Sequence, residues 1–248
     1  MQTIAFYNLK GGVGKTATAV NLAWHAARWK HRTLLWDLDP QGAASFYLGA
    51  EQNAPIKLGS LLKGRQAIGR LKVETRWPGL DLIPADISLR NMDLKLDEPG
   101  VGKAALRRLI EPLGESYSLT LLDCPPTLSP MAESIFAAAD ALVVPVIPTH
   151  LSLRSLEQVQ QWLQAKGYKK LKVLPFFNMV DRRRLLHLEM LARPPAAMRG
   201  GLATSIPYST HVEQMGDYQA PVGEFARHTP AARAFRHLWF ELAERLKL

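Results

Sequence analysis

The sequence of 248 residues predicts an α/β fold, in which helices cover both faces of a doubly wound and mostly parallel sheet. Short apolar runs alternate with helical patterns through most of the chain, as successive βαβ units require. Several of these runs are apolar on both faces, which is typical of strands buried inside a parallel sheet. We therefore expect a single domain that spans residues 1–248.

The predicted elements follow one another in βα order. The short apolar runs give the strand candidates Thr3–Asn8, Thr33–Asp37, Leu80–Pro84, Leu119–Asp123, Ala141–Val146 and Leu171–Phe177. Longer segments have helical periodicity, near residues 15–30, 102–113, 128–139 and 152–166. The proline-rich segment 192–201 predicts a loop and not a domain linker, because a strand-like run, Thr204–Ile206, follows it.

The composition restricts the class of protein. Hydrophobic residues make up 47% of the chain and charged residues 21%, which is typical of a globular protein. The apolar runs are too short to span a bilayer, and the N-terminus enters a strand-like pattern without a basic leader or a cleavage site. The single cysteine, Cys124, excludes an intrachain disulfide and a multi-cysteine metal site. We therefore expect a cytoplasmic protein.

The positive charge is concentrated in the C-terminal third. The net charge is +9, and residues 165–248 hold 14 Lys and Arg against 7 Asp and Glu, while residues 1–164 hold 17 against 15. Such a surplus indicates either a polyanion partner or a solvated basic surface.

Residues 8–16, NLKGGVGKT, lie between the first strand and the first helix and predict a phosphate-binding loop. Backbone N–H groups can surround phosphate oxygens only where side chains do not intrude, which the glycines allow. Lys15 is expected to bond the terminal phosphates and the Thr16 hydroxyl to ligate Mg²⁺. The residues expected to contact the nucleotide here are Gly11, Gly12, Val13, Gly14, Lys15, Thr16 and Ala17.

The loop departs from the ordinary G-x-x-x-x-G-K-[ST] pattern. Leu9 occupies the position of the first glycine, and a second lysine, Lys10, follows it. A glycine-rich turn between a strand and a helix can be purely structural, and Lys10 can be a solvated loop residue. The GKT sequence in this strand-loop-helix context favours nucleotide binding.

Aspartates follow two of the predicted strands. Asp37 and Asp39 end the first, in LLWDLDPQG, and Asp123 ends the second, in LTLLDCPP. Open α/β sheets bind their ligands at the carboxyl ends of parallel strands. One aspartate should hold Mg²⁺, directly or through water, and another should orient the attacking water. Each of them could instead cap a turn.

Three motifs resemble those of the ParA/MinD family of partition and positioning ATPases, which are P-loop NTPases. KGGVGKT resembles the family's deviant Walker A motif, DLDPQG its D-x-D-P-Q-G motif, and LLDCPP its Walker B and switch region. The resemblance implies that Lys10 reaches the partner subunit's nucleotide across an ATP-dependent homodimer. It implies that Lys10, Lys15 and Asp39 are catalytic, with Asp39 positioning the hydrolytic water. It also implies that Asp37 and Asp123 lie at the metal with Thr16.

The resemblance extends over nearly the whole chain, including a closing helix in residues 229–246, but nothing is inferred for residues 50–115. FFNMVD (176–181) and SIPYS (205–209) resemble the family's base pocket. Met179 and Pro207 would then enclose the adenine, while Asn178 or Asp181 bonds its edge. Both stretches could equally be core strand and turn. Ala17 stands where relatives usually have threonine, which removes one phosphate contact.

Together with the family resemblance, the surplus of basic residues in the C-terminal third predicts DNA binding. No helix-turn-helix, zinc or RNA-binding signature is present, so binding would be to phosphates, without base readout and dependent on salt. If six contacts form, the slope of log K against log[salt] is about −5. The candidate contacts are Lys170, Arg182, Arg183, Arg184, Arg199, Arg227, Arg233 and Arg236, with Lys169 and Lys172 beside them.

The function implied is an ATP-bound dimer on nonspecific, nucleoid DNA that segregates or positions a cargo. A centromere-binding protein on a plasmid or chromosome, or an adaptor on a protein body such as a carboxysome or chemoreceptor cluster, would stimulate hydrolysis.

Four other functions compete with this one. A plain binding module without turnover would leave Asp39 and Lys10 without a role. A MinD-like membrane ATPase would use an amphipathic C-terminal helix, but we expect its apolar stripe to be buried core: Phe235, Leu238, Trp239, Leu242 and Leu246. An electron-transfer ATPase would need four cysteines per dimer, and Cys124 supplies two. A biosynthetic ligase would need a substrate pocket that the sequence does not identify.

Overall fold

The computed structural model describes residues 1–50, 57–64 and 67–248. Its strands are β1 (Gln2–Phe6), β2 (Thr33–Asp37), β3 (Val73–Glu74), β4 (Leu80–Ile83), β5 (Leu119–Asp123), β6 (Ala141–Val146) and β7 (Lys172–Phe177). The helices are α1 (Lys15–Arg28), α2 (Ala43–Tyr47), α3 (Leu58–Leu62), α4 (Met92–Leu96), α5 (Ala105–Ile110), α6 (Pro130–Ala138), α7 (His150–Ala165), α8 (Leu185–Ala192), α9 (Thr210–Glu213), α10 (Met215–Tyr218), α11 (Val222–Phe225) and α12 (Pro230–Leu246).

The strands form one sheet of seven, in the order β3-β4-β2-β5-β1-β6-β7. All neighbouring pairs are parallel except β3 and β4. The register aligns Asp123 with Asp37 on one side and with Phe6 on the other. The carboxyl ends of β1, β2 and β5 therefore meet at one edge of the sheet, where the sequence predicts the ligand. The doubly wound, mostly parallel α/β fold is confirmed.

Two hydrophobic core layers lie on the two faces of the sheet. Leu34 and Trp36 of β2 belong to one layer and Leu35 to the other, and all three are fully buried. Both layers take residues from the same strands, which explains why the strands are apolar on both faces. The six predicted strands are present. Relative to the prediction, β1 begins one residue earlier and ends two residues earlier, β4 ends one residue earlier, and β7 begins one residue later.

The prediction of a strand at Thr204–Ile206 is wrong. The next residue, Pro207, forms an isolated bridge with Val180. Two hydrogen bonds support the bridge, from the Val180 amide to the Ile206 carbonyl and from the Ile206 amide to the Phe177 carbonyl. Pro207 has no N–H group with which to extend a ladder. The segment nevertheless lies against the carboxyl end of β7, beside the predicted base pocket.

Seven short helices in the described ranges were not predicted from the sequence: α2, α3, α4, α8, α9, α10 and α11. The predicted helix 102–113 is α5 alone, because Pro112 begins a 3₁₀ helix, Glu111–Glu115, directly after it. Segment 192–201 is the predicted loop and contains one 3₁₀ turn, Ala196–Met198. The strand β3 has only two residues and was not predicted. No helix in the described ranges is long and apolar enough to cross a membrane.

Helix α12 packs its apolar stripe into the core layer that also contains α1. Phe235, Leu238, Trp239, Leu242 and Leu246 are each at most 3% exposed. The stripe is therefore the buried face of a core helix, as predicted, and is not presented to a membrane surface.

We expect Leu238→Ala to lower the free energy of unfolding by about 2–5 kcal/mol, because it leaves a cavity in a fully buried position. Thermal unfolding should then occur roughly 5–15 °C lower. Phe240→Ala is the control on the same helix, since Phe240 is 40% exposed. Equal stabilities for the two variants in a thermal melt would contradict this packing.

Candidate nucleotide-binding site

The loop between β1 and α1 is open at its glycines. Gly12 and Gly14 have φ values of 71° and 88°, a left-handed conformation that glycine adopts without strain. A Cβ atom placed on Gly11 or Gly12 would have no other heavy atom within 4 Å. An anion can therefore approach the loop backbone at these positions, just before α1 begins at Lys15.

Two asparagines anchor the loop to the neighbouring strands. The Asn8 Nδ2 donates to the Pro145 carbonyl at 2.8 Å, and its Oδ1 accepts from the Lys10 amide at 3.0 Å. The Asn178 Nδ2 donates to the Val13 carbonyl at 2.7 Å. The loop is thus held from the ends of β6 and β7, which fixes its backbone before any ligand arrives.

Asn178 is therefore committed to the loop through its amide nitrogen, whereas the sequence predicts a role at the base edge. It is 4% exposed and lies so close to Gly14 that a Cβ atom there would collide with its amide. Gly14 is required both for its backbone conformation and for this close approach. The Asn178 Oδ1 and the second N–H of its amide are left for the base.

We expect Asn178→Ala to weaken the binding of ATP and of tripolyphosphate alike. The variant leaves the buried Val13 carbonyl without its donor, which costs about 1–3 kcal/mol or roughly 5- to 150-fold in affinity. Calorimetric titration of both ligands measures the effect. A loss confined to ATP would show instead that Asn178 acts on the base.

Two lysine ammonium groups lie at the loop without a carboxylate partner. Lys15 is 8% exposed, and burial lowers its pKa against the opposing charge of Asp123. Lys10 is half-buried. Among the described residues neither ammonium forms an ion pair. Both groups are therefore available to phosphate oxygens.

Asp37 is held in place by a serine that the sequence analysis missed. Its Oδ2 accepts from the Ser45 amide at 2.9 Å and from the Ser45 hydroxyl at 2.7 Å, while its Oδ1 accepts from the Asp39 amide at 3.3 Å. The Ser45 hydroxyl oxygen also accepts from the Ala85 amide at 2.9 Å. Burial is the main cause that raises the pKa of Asp37 to about 6. The network forms because α2 packs against β2, and no sequence pattern predicts that packing.

Asp123 is fully buried, and in the described part of the chain neither of its carboxylate oxygens accepts a hydrogen bond of good geometry, although the Thr16 hydroxyl lies close enough to influence the pKa. Burial raises its pKa well above the ordinary value, and the Asp37 charge raises it further, while Thr16 and Lys15 lower it. A buried carboxylate without donors is destabilising unless a cation or water satisfies it. The unsatisfied oxygens beside Thr16 therefore fit a bound Mg²⁺.

The residues that would hold Mg²⁺ are the Thr16 hydroxyl, Asp37 and Asp123, directly or through water. In the described part of the chain, no three acidic, histidine or cysteine side chains converge into a metal cage. Mg²⁺ usually retains waters and binds through one or two carboxylates together with substrate phosphates. When bound, it would neutralise charge on the phosphates undergoing transfer.

We expect Asp123→Asn to stabilise the nucleotide-free protein at pH 7. A raised carboxyl pKa means that the folded state binds more protons than the unfolded state, so this contribution to stability is lost as the pH rises through the folded pKa. Removing the charge should raise the melting temperature by about 2–4 °C for each kcal/mol gained in the free energy of unfolding. The gain should shrink as the pH falls towards 4, and Mg²⁺-dependent nucleotide binding should weaken. A melting temperature below that of the wild type at pH 7 would contradict this.

Asp39 lies in a half-buried turn beside Asp37 and Asp123, the two aspartates predicted to hold Mg²⁺. Its Oδ1 accepts from the Gln41 amide at 3.0 Å, so it does cap its own turn. Its charge also raises the pKa values of Asp37 and Asp123, which places it at the same site. Its Oδ2 accepts no hydrogen bond from the residues that the structure describes, and it remains available to a water molecule.

A cavity of about 340 Å³ lies beside the loop at the predicted base site. Met179 and Asp181 line it, and Pro207 is adjacent through its bridge with Val180. Asp181 is bound by the Arg183 guanidinium through two contacts of 2.9 Å, which lower the pKa of Asp181 to about 2. The Arg183 guanidinium therefore competes with a base for Asp181, whose Oδ2 still has one acceptor position free of hydrogen bonds from the described residues.

The candidate DNA contacts fall into separate groups. Lys170 and Lys169 precede β7, whereas Arg182, Arg183 and Arg184 follow its other end, which six strand residues place roughly 17 Å away. Arg227, Arg233 and Arg236 line a cleft beside α1 and α12. Arg199 follows the 3₁₀ turn in the loop after α8. All are exposed, but they do not form one continuous patch on the subunit.

Comparison with known proteins gives one family and a consistent set of relatives. The family model described as AAA domain matches residues 1–172. The chromosome-partitioning ATPase Soj of Thermus thermophilus is 34% identical over 257 residues, covering 100% of this chain and 97% of that protein. The cobyrinic acid a,c-diamide synthase of Mycobacterium smegmatis with bound ADP and magnesium has a TM-score of 0.81 at 25% identity, covering 100% and 96%. The ATP complex of a McdA variant from Cyanothece has a TM-score of 0.84 at 23% identity, covering 100% and 97%.

Proposed function

The chain belongs to the ParA/MinD family of deviant Walker A ATPases and hydrolyses ATP with Mg²⁺, and we propose that its ATP-bound dimer binds nonspecific DNA to position a cargo. In this proposal the nucleotide acts as a switch. ATP joins two subunits, the dimer binds DNA, and hydrolysis separates the subunits and releases the DNA.

The observation that supports the switch best is the second lysine on the phosphate loop. Lys15 is already buried inside the loop, whereas Lys10 is half-buried at its mouth and makes no ion pair within the described ranges. A flexible cation at this position can reach phosphates bound by a second subunit and neutralise transition-state charge. Lys10 thus couples dimerisation to hydrolysis.

Separated basic groups support a dimer as the DNA-binding form. Each subunit offers several small groups of exposed arginines and lysines, and none of these groups resembles a base-reading element. Small groups bind DNA phosphates weakly, but two subunits on one rigid body bind with a high effective concentration. DNA affinity would therefore depend on ATP and on dimerisation.

The cargo is proposed at the level of its chemistry. A partner attached to a plasmid, a chromosome or a protein body would stimulate hydrolysis and thereby move along the nucleoid in the cytoplasm. The name of the relative, chromosome-partitioning ATPase Soj, favours a chromosome as the cargo. Purification of the tagged Asp39→Ala variant from its own cells, followed by identification of bound proteins, distinguishes a centromere-binding protein from an adaptor on a protein body.

The first experiment measures binding to a random-sequence duplex with ATP, with ADP and without nucleotide. We expect binding only with ATP, with a slope of log K against log[salt] near −5 if six contacts form. Binding that is equal in all three states would contradict the switch. The absence of binding in every state would contradict DNA as the partner. Liposomes would then test the membrane ATPase, and acyl-acceptor substrates would test the biosynthetic ligase.

A further inference from the structure

A cleft of about 490 Å³ lies between the last turns of α1 and the first turns of α12. Its volume lies within the range of small-molecule sites. The lining residues that matter are Trp24, His25, Arg28, Arg227, Arg233 and Arg236. The two helices meet at the end of α1 opposite to the phosphate loop, so this cleft is separate from the nucleotide site.

The arginines of the cleft are not neutralised. None of the four forms an ion pair with a carboxylate in the described part of the chain. Glu224 is the acidic residue of the lining, but its Oε2 accepts from the indole nitrogens of Trp24 at 3.0 Å and Trp77 at 3.2 Å. Four positive groups and one occupied carboxylate leave a strong positive field in a concave site.

One buried polar atom of the cleft also lacks a partner. His25 is 5% exposed, and its Nε2 has no hydrogen-bond partner among the residues that the structure describes. Burial and, to a smaller extent, the charges of Arg236 and Arg28 together lower the pKa of His25 to about 4, so these side chains lie close together. Unpartnered buried polar atoms are rare in folded proteins and call for an explanation, of which a bound water or ion is one.

The floor of the cleft is already ordered. The Arg28 guanidinium lies over the Trp24 ring at 5.0 Å, and Glu224 holds the edge of that ring. Such cation–π stacking keeps a guanidinium in place while leaving its N–H groups free to donate. An anion entering the cleft would therefore meet a preorganised arginine.

We propose that this cleft binds phosphate groups, and that Arg28 and His25 form the site together with Arg227, Arg233 and Arg236. The phosphates can come from the backbone of DNA or from a free phosphorylated small molecule. Only the first source rests on the proposed function. Guanidinium groups bind both through charge-assisted hydrogen bonds to the same oxygens.

Two measurements on the full chain test the proposal. The first follows the His25 ring signals by NMR during a titration with inorganic pyrophosphate, with the phosphate loop already saturated by ADP and Mg²⁺, in the wild type and in Arg28→Gln. The second compares the DNA affinity of Arg28→Gln with that of Arg90→Gln, in the presence of ATP. Arg90 is an exposed arginine in the 3₁₀ helix Ile87–Asn91, so its variant removes the same charge elsewhere.

We expect saturable shifts of the His25 signals that weaken in Arg28→Gln, and a DNA affinity roughly 5- to 10-fold lower for Arg28→Gln than for Arg90→Gln. His25 shifts with equal DNA affinities would support the site and identify a small phosphorylated molecule as its ligand. If the wild type shows the His25 shifts but binds no DNA, the ligand is again a small phosphorylated molecule, and only the proposed function is refuted. The absence of any His25 shift, with pyrophosphate and with DNA, would overturn the proposal even if DNA affinity falls.

Discussion

Replacing Asp39 with alanine is expected to lower the rate of ATP hydrolysis about 100-fold or more while ATP remains bound. Asp39 has one carboxylate oxygen bonded to its own turn and the other without a donor in the described residues, beside the metal aspartates. Loss of a group that orients or activates the attacking water typically costs 10²- to 10⁴-fold. The buried network of Asp37 and Ser45 is untouched, so the fold should persist. Steady-state phosphate release and ATP titration measure the two effects.

Asp217→Ala is a suitable control for Asp39→Ala, since Asp217 is an exposed aspartate in α10. Its hydrolysis rate should equal that of the wild type. An unchanged rate in Asp39→Ala would remove Asp39 from the catalytic residues. The variant should also retain DNA binding in ATP for longer than the wild type, because its dimer cannot be released by hydrolysis.

Replacing Lys10 with alanine is expected to abolish both ATP-dependent dimerisation and ATP-dependent DNA binding. The ammonium group makes no ion pair within the described ranges, so its removal should leave the subunit intact. The apparent DNA affinity should fall about 100-fold or more, since the two subunits no longer share one rigid body. Sedimentation with ATP and titration of a fluorescent duplex measure the two quantities.

Lys103→Ala is the control for Lys10→Ala, because it removes the charge of one exposed lysine elsewhere in the chain. Only a small change in DNA affinity is expected for it. The role of Lys10 would be refuted by a Lys10→Ala protein that still dimerises with ATP. Retained ATP binding in this variant distinguishes a dimer defect from damage to the loop.

The parts of the fold that the sequence predicted well are those determined by local patterns. Strands such as β5 and β6 are continuous apolar runs, and their bounds agree with the prediction. The glycines and Lys15 of the phosphate loop are contiguous in sequence, so their spacing alone indicated the site. Asp37 and Asp123 were placed correctly at one edge because parallel strands end there.

The parts that were missed depend on side-chain contacts that no local sequence pattern encodes, whether the two residues are distant or close along the chain. The hydrogen bond from Asn178 to Val13 joins residues 165 positions apart, and no spacing rule predicts it. The serine that holds Asp37 lies eight residues away, on a short helix without a clear periodic pattern. Arg183 binds Asp181 at close sequence distance, but it was assigned to DNA because an exposed arginine and a paired one look alike in sequence.

Helix α1 connects the phosphate loop with the arginine cleft. It runs without interruption from Lys15 to Arg28, roughly 20 Å, and most of its residues are buried in the core. A buried, continuous helix transmits a displacement from one end to the other more readily than it absorbs one. Thermodynamic linkage then requires reciprocity: whatever factor ATP contributes to phosphate affinity at the cleft, phosphate at the cleft contributes to ATP affinity at the loop.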